Sequence, residues 1–286
     1  MYYLLGTSIL AASLNNILLN KAQITEKSKL FRFNLFGAFM WCIILFVANK
    51  GSVHIDSQVL FWGIVYGLTQ SLFILFKSAA VGSGSVSVTT LIGNCSLFIS
   101  VLVSLIVWGE SVTVIDVLGL VILLAAIFMC TYKKTNTSYT SKWKYYVFFF
   151  FVFAALVGIV FKAFGKMGNL DYCGDMMFVS AVVMVICYSV ICLFQGGFKY
   201  SSAKKTIKNE CFLYAIACGI LSCLYNRLNI FLAGNIDAII FFPAFNGGVI
   251  LLSTFLCMWL CKEVLAQKQK IGILAGVIAI CLTGIL

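Results

Sequence analysis

The chain divides into ten apolar segments joined by short polar connections, and the ten fall into two sets of five. They lie near 3–20, 32–49, 58–79, 85–108, 114–132, 144–161, 175–195, 211–232, 237–260 and 269–286. About 20 apolar residues cross the hydrocarbon core of a bilayer as a helix. Only helices and closed barrels satisfy their own backbone hydrogen bonds there. The expected fold is an all-α integral membrane protein with ten transmembrane helices. Residues 1–132 form a first five-helix repeat, 133–143 a cytoplasmic linker and 144–286 a second repeat. Five crossings are an odd number, so the second repeat enters the membrane from the opposite face. Inverted repeats of this kind characterise secondary transporters.

Composition narrows the function. Of 286 residues, 62% are hydrophobic and only 10% charged, against roughly 25% charged in soluble domains. The lipid bilayer is the expected environment. The first segment has no basic stretch before it and no small-residue cleavage site after it, so it reads as a retained span. The net charge of +11 does not indicate a nucleic-acid partner, because the basic residues flank apolar spans. Most of the 12 cysteines fall inside spans, as small apolar residues do. The single histidine, His54, is in a loop, and no Asp or Glu occupies the middle of a span. General acid–base chemistry and Cys/His metal binding both lack their groups. No enzyme, metal or cofactor is expected.

Internal repetition supports the two-fold division. Ser100, Glu110 and Gly119 recur as Ser253, Glu263 and Gly272 at a constant offset of 153 positions. Lys21-Ala22 ends the first span as Lys162-Ala163 ends the sixth. Fifteen basic residues, from Lys21 to Lys270, belong to the loops after odd-numbered spans, with Lys77 nearby as a sixteenth, against only Lys50, Lys162 and Lys166 after even-numbered ones. The side richer in Lys and Arg is cytoplasmic. Both termini are therefore expected outside a plasma (cytoplasmic) membrane.

Polar residues are costly in hydrocarbon, so their spacing is informative. Gly63, Gly67, Gln70 and Lys77 share a stripe of the third span, with Tyr66 beside Gln70. Ser87, Thr90 and Asn94 share one in the fourth. Gly219, Ser222, Asn226 and Asn229 share one in the eighth, one turn from Tyr225. Asn246 and Ser253 share a face of the ninth. Asn15 and Asn16 lie in the last third of the first span. Arg227 either faces a cavity or snorkels to the headgroups, and snorkelling is favoured for Lys77, nearer its helix end. Glu110 and Glu263 read as loop anchors. Gly272 and Gly276 form a GxxxG pair, a close-packing face that would serve a homodimer through the last helix.

The segment from Phe76 to Phe128 resembles the EamA-type module of the drug/metabolite transporter superfamily. The matching residues are Phe76-Lys77-Ser78-Ala79-Ala80, the run Gly82-Ser83-Gly84-Ser85, Trp108-Gly109-Glu110 and Gly119, with Asn16 and Lys21 in the first span. Two features depart from the family pattern. Leu97 and Ile250 stand near the places of its mid-span prolines, while Pro243 lies half a helix earlier. The lysine bias also reverses the orientation usually drawn for ten-helix relatives. The resemblance implies a cavity lined by spans three, four, eight and nine, with help from the first and sixth.

The expected function is a secondary transporter or facilitator of a small polar metabolite, an amino-acid-like zwitterion or anion. Its substrate-binding set is Asn15, Asn16, Tyr66, Gln70, Thr90, Asn94, Tyr225, Asn226, Arg227 and Asn246. Two alternatives are transport of organic cations or quaternary amines through an aromatic cavity, and translocation of a lipid-linked solute.

Overall fold

Helices account for the secondary structure of the computed structural model, which describes residues 1–22, 27–81, 83, 86–110, 112–131, 141–194, 209–261 and 267–284. They are α1 (Tyr2–Ala22), α2 (Lys27–Ala48), α3 (Ser57–Val81), α4 (Val86–Cys95), α5 (Leu97–Trp108) and α6 (Val114–Thr131), followed by α7 (Ser141–Met167), α8 (Cys173–Phe194), α9 (Asn209–Asn235), α10 (Ala238–Cys261) and α11 (Gln267–Gly284). A short 3-10 turn, Leu170–Tyr172, precedes α8. No strand occurs among the described residues. Seven helices there are long and apolar enough to cross a membrane, and shorter apolar helices cover Ile92–Trp108 and Val114–Met129. The chain is a multi-pass helical membrane protein. Lys262-Glu263, most of the run Gly82 to Ser85, the lysines of 199–208 and most of the linker lie outside the described residues.

Two expected boundaries are corrected. The fourth segment is not one regular α-helix over 85–108: α4 and α5 meet at Ser96, whose backbone stays right-handed helical (φ −61°, ψ −22°), so a tight turn rather than an unwound stretch joins them. Gly93, Asn94 and Ser96 are weak helix formers, and the Ser96 N–H turns to the Gly93 carbonyl at 3.2 Å, a three-residue closure. The sixth segment runs from Ser141 to Met167 rather than over 144–161. Lys162 is therefore not a loop residue but a buried one. In α10 the interior Pro243 withholds a backbone donor from the turn before it.

Local caps set several helix ends. Thr113 and Asp116 form a reciprocal box before α6: the Thr113 N–H donates to the Asp116 carboxylate at 3.0 Å, and the Asp116 N–H donates to Thr113 Oγ1 at 3.2 Å. Asp56 Oδ1 accepts the Val59 N–H at 2.6 Å at the start of α3. The start of α8 is tied to the end of α2, where Asn49 Nδ2 donates to Asp175 Oδ1 at 2.7 Å.

Helix packing interleaves the two halves. α1 packs on α9 and α10, and α7 on α3, α4 and α5. α2 packs on α8 and α9, and α3 on α8. α6 lies against α11, and α5 against α10. Small residues permit the closest approaches. A Cβ at Gly63 would stand 2.6 Å from Val179, and one at Gly67 would stand 2.7 Å from Val183, so this GxxxG pair seats α3 on α8. Gly272 is buried and Gly276 abuts Leu251 of α10. Part of that second GxxxG face therefore packs against α10.

One end of the bundle is held by a buried ion pair. Lys162 Nζ pairs with Glu110 Oε1, both side chains being almost fully buried. Lys162 also donates to the Ile236 carbonyl at 2.8 Å, and the Ala238 N–H donates to Glu110 Oε2 at 2.7 Å. Two side chains therefore join the ends of α5, α7 and α9 to the start of α10. Beside them Gly165 and Gly234 bring the backbones of α7 and α9 together. The opposite end is closed differently: Ala80, Trp143 and Val147 cluster there, and Trp143 Nε1 donates to Thr89 Oγ1 at 3.1 Å.

Removing one partner of a buried pair leaves the other charge uncompensated, at a cost of about 3–5 kcal/mol. Lys162→Met is expected to lower thermal stability in detergent by that order. Combining it with Glu110→Gln should recover part of the loss. A Lys162→Met protein as stable as wild type contradicts this account of the ion pair.

Candidate functional site

A cavity of about 210 Å³ lies between α3, α4, α5, α7, α9 and α10. Each helix contributes a stripe at helical spacing. α3 presents Gln70, Phe73 and Lys77, and α7 presents Phe150, Ala154, Val157, Gly158 and Phe161. The interrupted fourth segment supplies Thr89, Gly93, Asn94, Ser96, Leu97 and Ser100. α9 adds Tyr225, Asn226 and Asn229, and α10 adds Phe241, Phe242, Phe245 and Asn246. The tight turn at Ser96 is thus in the cavity wall. Irregular backbone at membrane depth is tolerated where it lines a cavity.

Of the residues expected to bind substrate, five line this cavity: Gln70, Asn94, Tyr225, Asn226 and Asn246. Tyr66 is behind the wall, fully buried, and its hydroxyl donates to Asn226 Oδ1 at 3.0 Å. Asn15 is buried but does not reach the cavity, and Asn16 is exposed. Thr90 belongs to α4, with its side chain outside the described set.

Arg227 points elsewhere. It is exposed and lines a separate lateral recess with Leu170, Cys173, Leu224, Leu228 and Phe231. The helix explains this. Asn226 and Asn229 share the cavity face at three-residue spacing, and Arg227 is rotated about 100° from Asn226.

The expected help from the first span is indirect. Ser8 Oγ of α1 donates to Asn229 Oδ1 at 2.6 Å, and Ser13 Oγ donates to the Val249 carbonyl at 3.3 Å. α1 orients the wall from behind. The sixth span, now α7, forms wall directly. Gly158 lets it approach α5, where Ser100 Oγ donates to the Ala155 carbonyl at 3.1 Å.

The polar wall divides into spent and unspent groups. Asn226 uses both ends of its amide, accepting from Tyr66 and donating through Nδ2 to the Ser222 carbonyl at 2.7 Å. Asn246 Nδ2 donates to the Phe242 carbonyl at 2.9 Å. Gln70 Oε1 and Asn94 Nδ2 are buried and have no hydrogen-bond partner. Buried polar atoms in native proteins are almost always paired, so each such atom calls for an explanation. Among the described residues, Lys77 is the one charged side chain in the lining. Its ammonium is 5.8 Å from the centre of the Phe73 ring, and the residue is exposed.

Lys77 and Asn229 line the cavity although neither belongs to the expected binding set. Both had already been placed on polar stripes, and the i, i+7 relation of Gln70 to Lys77 was the usable signal. Thr89, Ser96 and Ser100 also line the wall. No signal separated Thr89 from its neighbour Thr90.

No model of a known protein family and no curated protein matches the sequence. Among solved structures, one described simply as the crystal structure of a protein matches with a TM-score of 0.75 at 15% identity. The match covers 99% of this chain and 96% of that one. At that identity the likeness shows the fold alone.

Removing the Tyr66 hydroxyl strands a buried amide oxygen. Tyr66→Phe is therefore expected to cost about 1–3 kcal/mol in thermal unfolding. Gln70→Leu removes an orphaned acceptor and should leave stability unchanged or raise it. The reverse order of stabilities would overturn the division between spent and unspent groups.

Proposed function

We propose that the chain is a secondary transporter or facilitator of a small polar metabolite, working by alternating access of two inverted five-helix repeats. The observation that carries this reading is the cavity itself: polar groups without partners, deep in an apolar bundle, beside the tight turn that interrupts the fourth span at Ser96. Interrupted helices at a repeat interface are where transporters of this architecture bind solute.

Packing supports the repeat. Exchanging the first five spans with the second five turns the α1·α9 contact into α7·α3, and α1·α10 into α7 with α4 and α5. It turns α2·α9 into α8·α3 and leaves α2·α8, α5·α10 and α6·α11 as their own counterparts. The ten-span count, the kinship with EamA-type drug/metabolite transporters, and a plasma-membrane location with both termini outside belong to the same proposal. They rest on the 153-residue offset, the quoted motifs and the lysine bias.

An amino-acid-like zwitterion or anion fits this cavity better than the alternatives. About 210 Å³ is small beside the 300–1,000 Å³ of pockets for drug-sized ligands, which disfavours a lipid-linked solute. The aromatic wall would suit a quaternary amine, but a lysine with no carboxylate among the described lining residues opposes a cation.

Exchange in proteoliposomes tests the reading. Vesicles preloaded with unlabelled L-leucine should take up labelled L-leucine saturably and faster than protein-free vesicles. Rates equal to protein-free vesicles for L-leucine, small organic acids and amines alike would contradict it.

A further inference from the structure

We infer that Lys77 is the anion anchor of the cavity, and that the cavity takes a small carboxylate carrying its own N–H or O–H donor. This deepens the transporter reading and rests on the same cavity. Three groups define the ligand chemistry. Lys77 contributes a positive charge, set against the Phe73 ring and accompanied by no acidic group in the described lining. Asn94 Nδ2 is a buried donor without an acceptor. Gln70 Oε1 is a buried acceptor without a donor, on a residue 6% exposed.

A ligand that satisfies all three presents an anion to Lys77 and Asn94 and a donor to Gln70. Gln70 and Lys77 are seven residues apart on one face of α3, about 10 Å along the axis. A molecule with an anionic group and a donor a few bonds apart spans part of that distance, and flexible Lys and Gln side chains close the rest. The surrounding phenylalanines accept an apolar remainder. Because Asn226 and Asn246 Nδ2 are bonded within the protein, they shape the wall rather than discriminate between charges. Arg227, the more obvious cation in the sequence, lies outside the site.

Leucine and its analogues isolate the charge. Binding of L-leucine, 2-hydroxy-4-methylpentanoate and L-leucinamide would be measured on detergent-purified wild type, Lys77→Gln and Lys77→Arg. Both carboxylates should bind wild type, and leucinamide should not. Lys77→Gln should weaken carboxylate binding by about tenfold or more, the scale of one charge-assisted contact, while Lys77→Arg keeps most of it. Lys77 is exposed near a helix end, so folding should survive, and the arginine variant controls for the substitution itself. The inference is overturned if Lys77→Gln binds the carboxylates as wild type does, if leucinamide binds equally well, or if neither carboxylate binds wild type. Vesicle flux of leucinamide without flux of the carboxylates would sink this assignment and leave the transporter reading standing. Lys77-dependent carboxylate binding without flux would do the opposite.

Discussion

A lysine ammonium and a glutamate carboxylate, withdrawn together from solvent, decide the shape of one end of this protein. Charges moved out of water carry a desolvation cost of several kcal/mol each, recovered only when geometry and hydrogen bonds are good. Lys162 and Glu110 meet that condition by also engaging the Ile236 carbonyl and the Ala238 N–H. The result is a junction of four helix ends with little slack, next to the glycine contact of α7 and α9. The cavity extends away from this junction, toward the end where Lys77 is exposed.

The cavity follows from a second constraint, that polar groups in hydrocarbon need partners. Most found them inside the bundle: Ser8 with Asn229, Tyr66 with Asn226, Ser100 with Ala155, Trp41 with Ser222. These bonds fix the walls. Among the buried atoms without a partner, two belong to residues of the cavity lining, Gln70 Oε1 and Asn94 Nδ2; others, on Asn15, Asn34, Ser104 and Tyr188, lie elsewhere in the bundle. Unsatisfied groups of this kind cost stability, and proteins tolerate such costs at sites where they bind something.

How much of this was legible beforehand depended on which physical signal each residue carried. Hydrophobic length located the helices, because a bilayer imposes nearly the same span on each. It misplaced the end of α7, because a lysine after the seventeen uncharged residues 145–161 looks like a boundary until its glutamate, 52 positions earlier, is seen beside it. Helical spacing found Gln70, Asn94, Asn226 and Asn246, since stripes of amides mark an interior face. It did not separate cavity from packing. Tyr66 and Asn15 have the same composition signal as wall residues and sit behind the wall. Arg227 was left open between cavity and lipid side, which neighbouring polar residues alone do not distinguish. The turn at Ser96 was hidden for a different reason: Gly, Asn and Ser only weaken a helix, and tertiary packing determines whether it tightens there.

Alternation between two ends is the claim on which the functional account stands. It is tested most directly by label-to-label distances in lipid vesicles. One pair, on Val112 and Met167, spans the Lys162 end, and a second, on Lys21 and Lys268, spans the other. The account predicts that a transported solute lengthens one distance as it shortens the other. Two distances that stay fixed while solute crosses the membrane would contradict it.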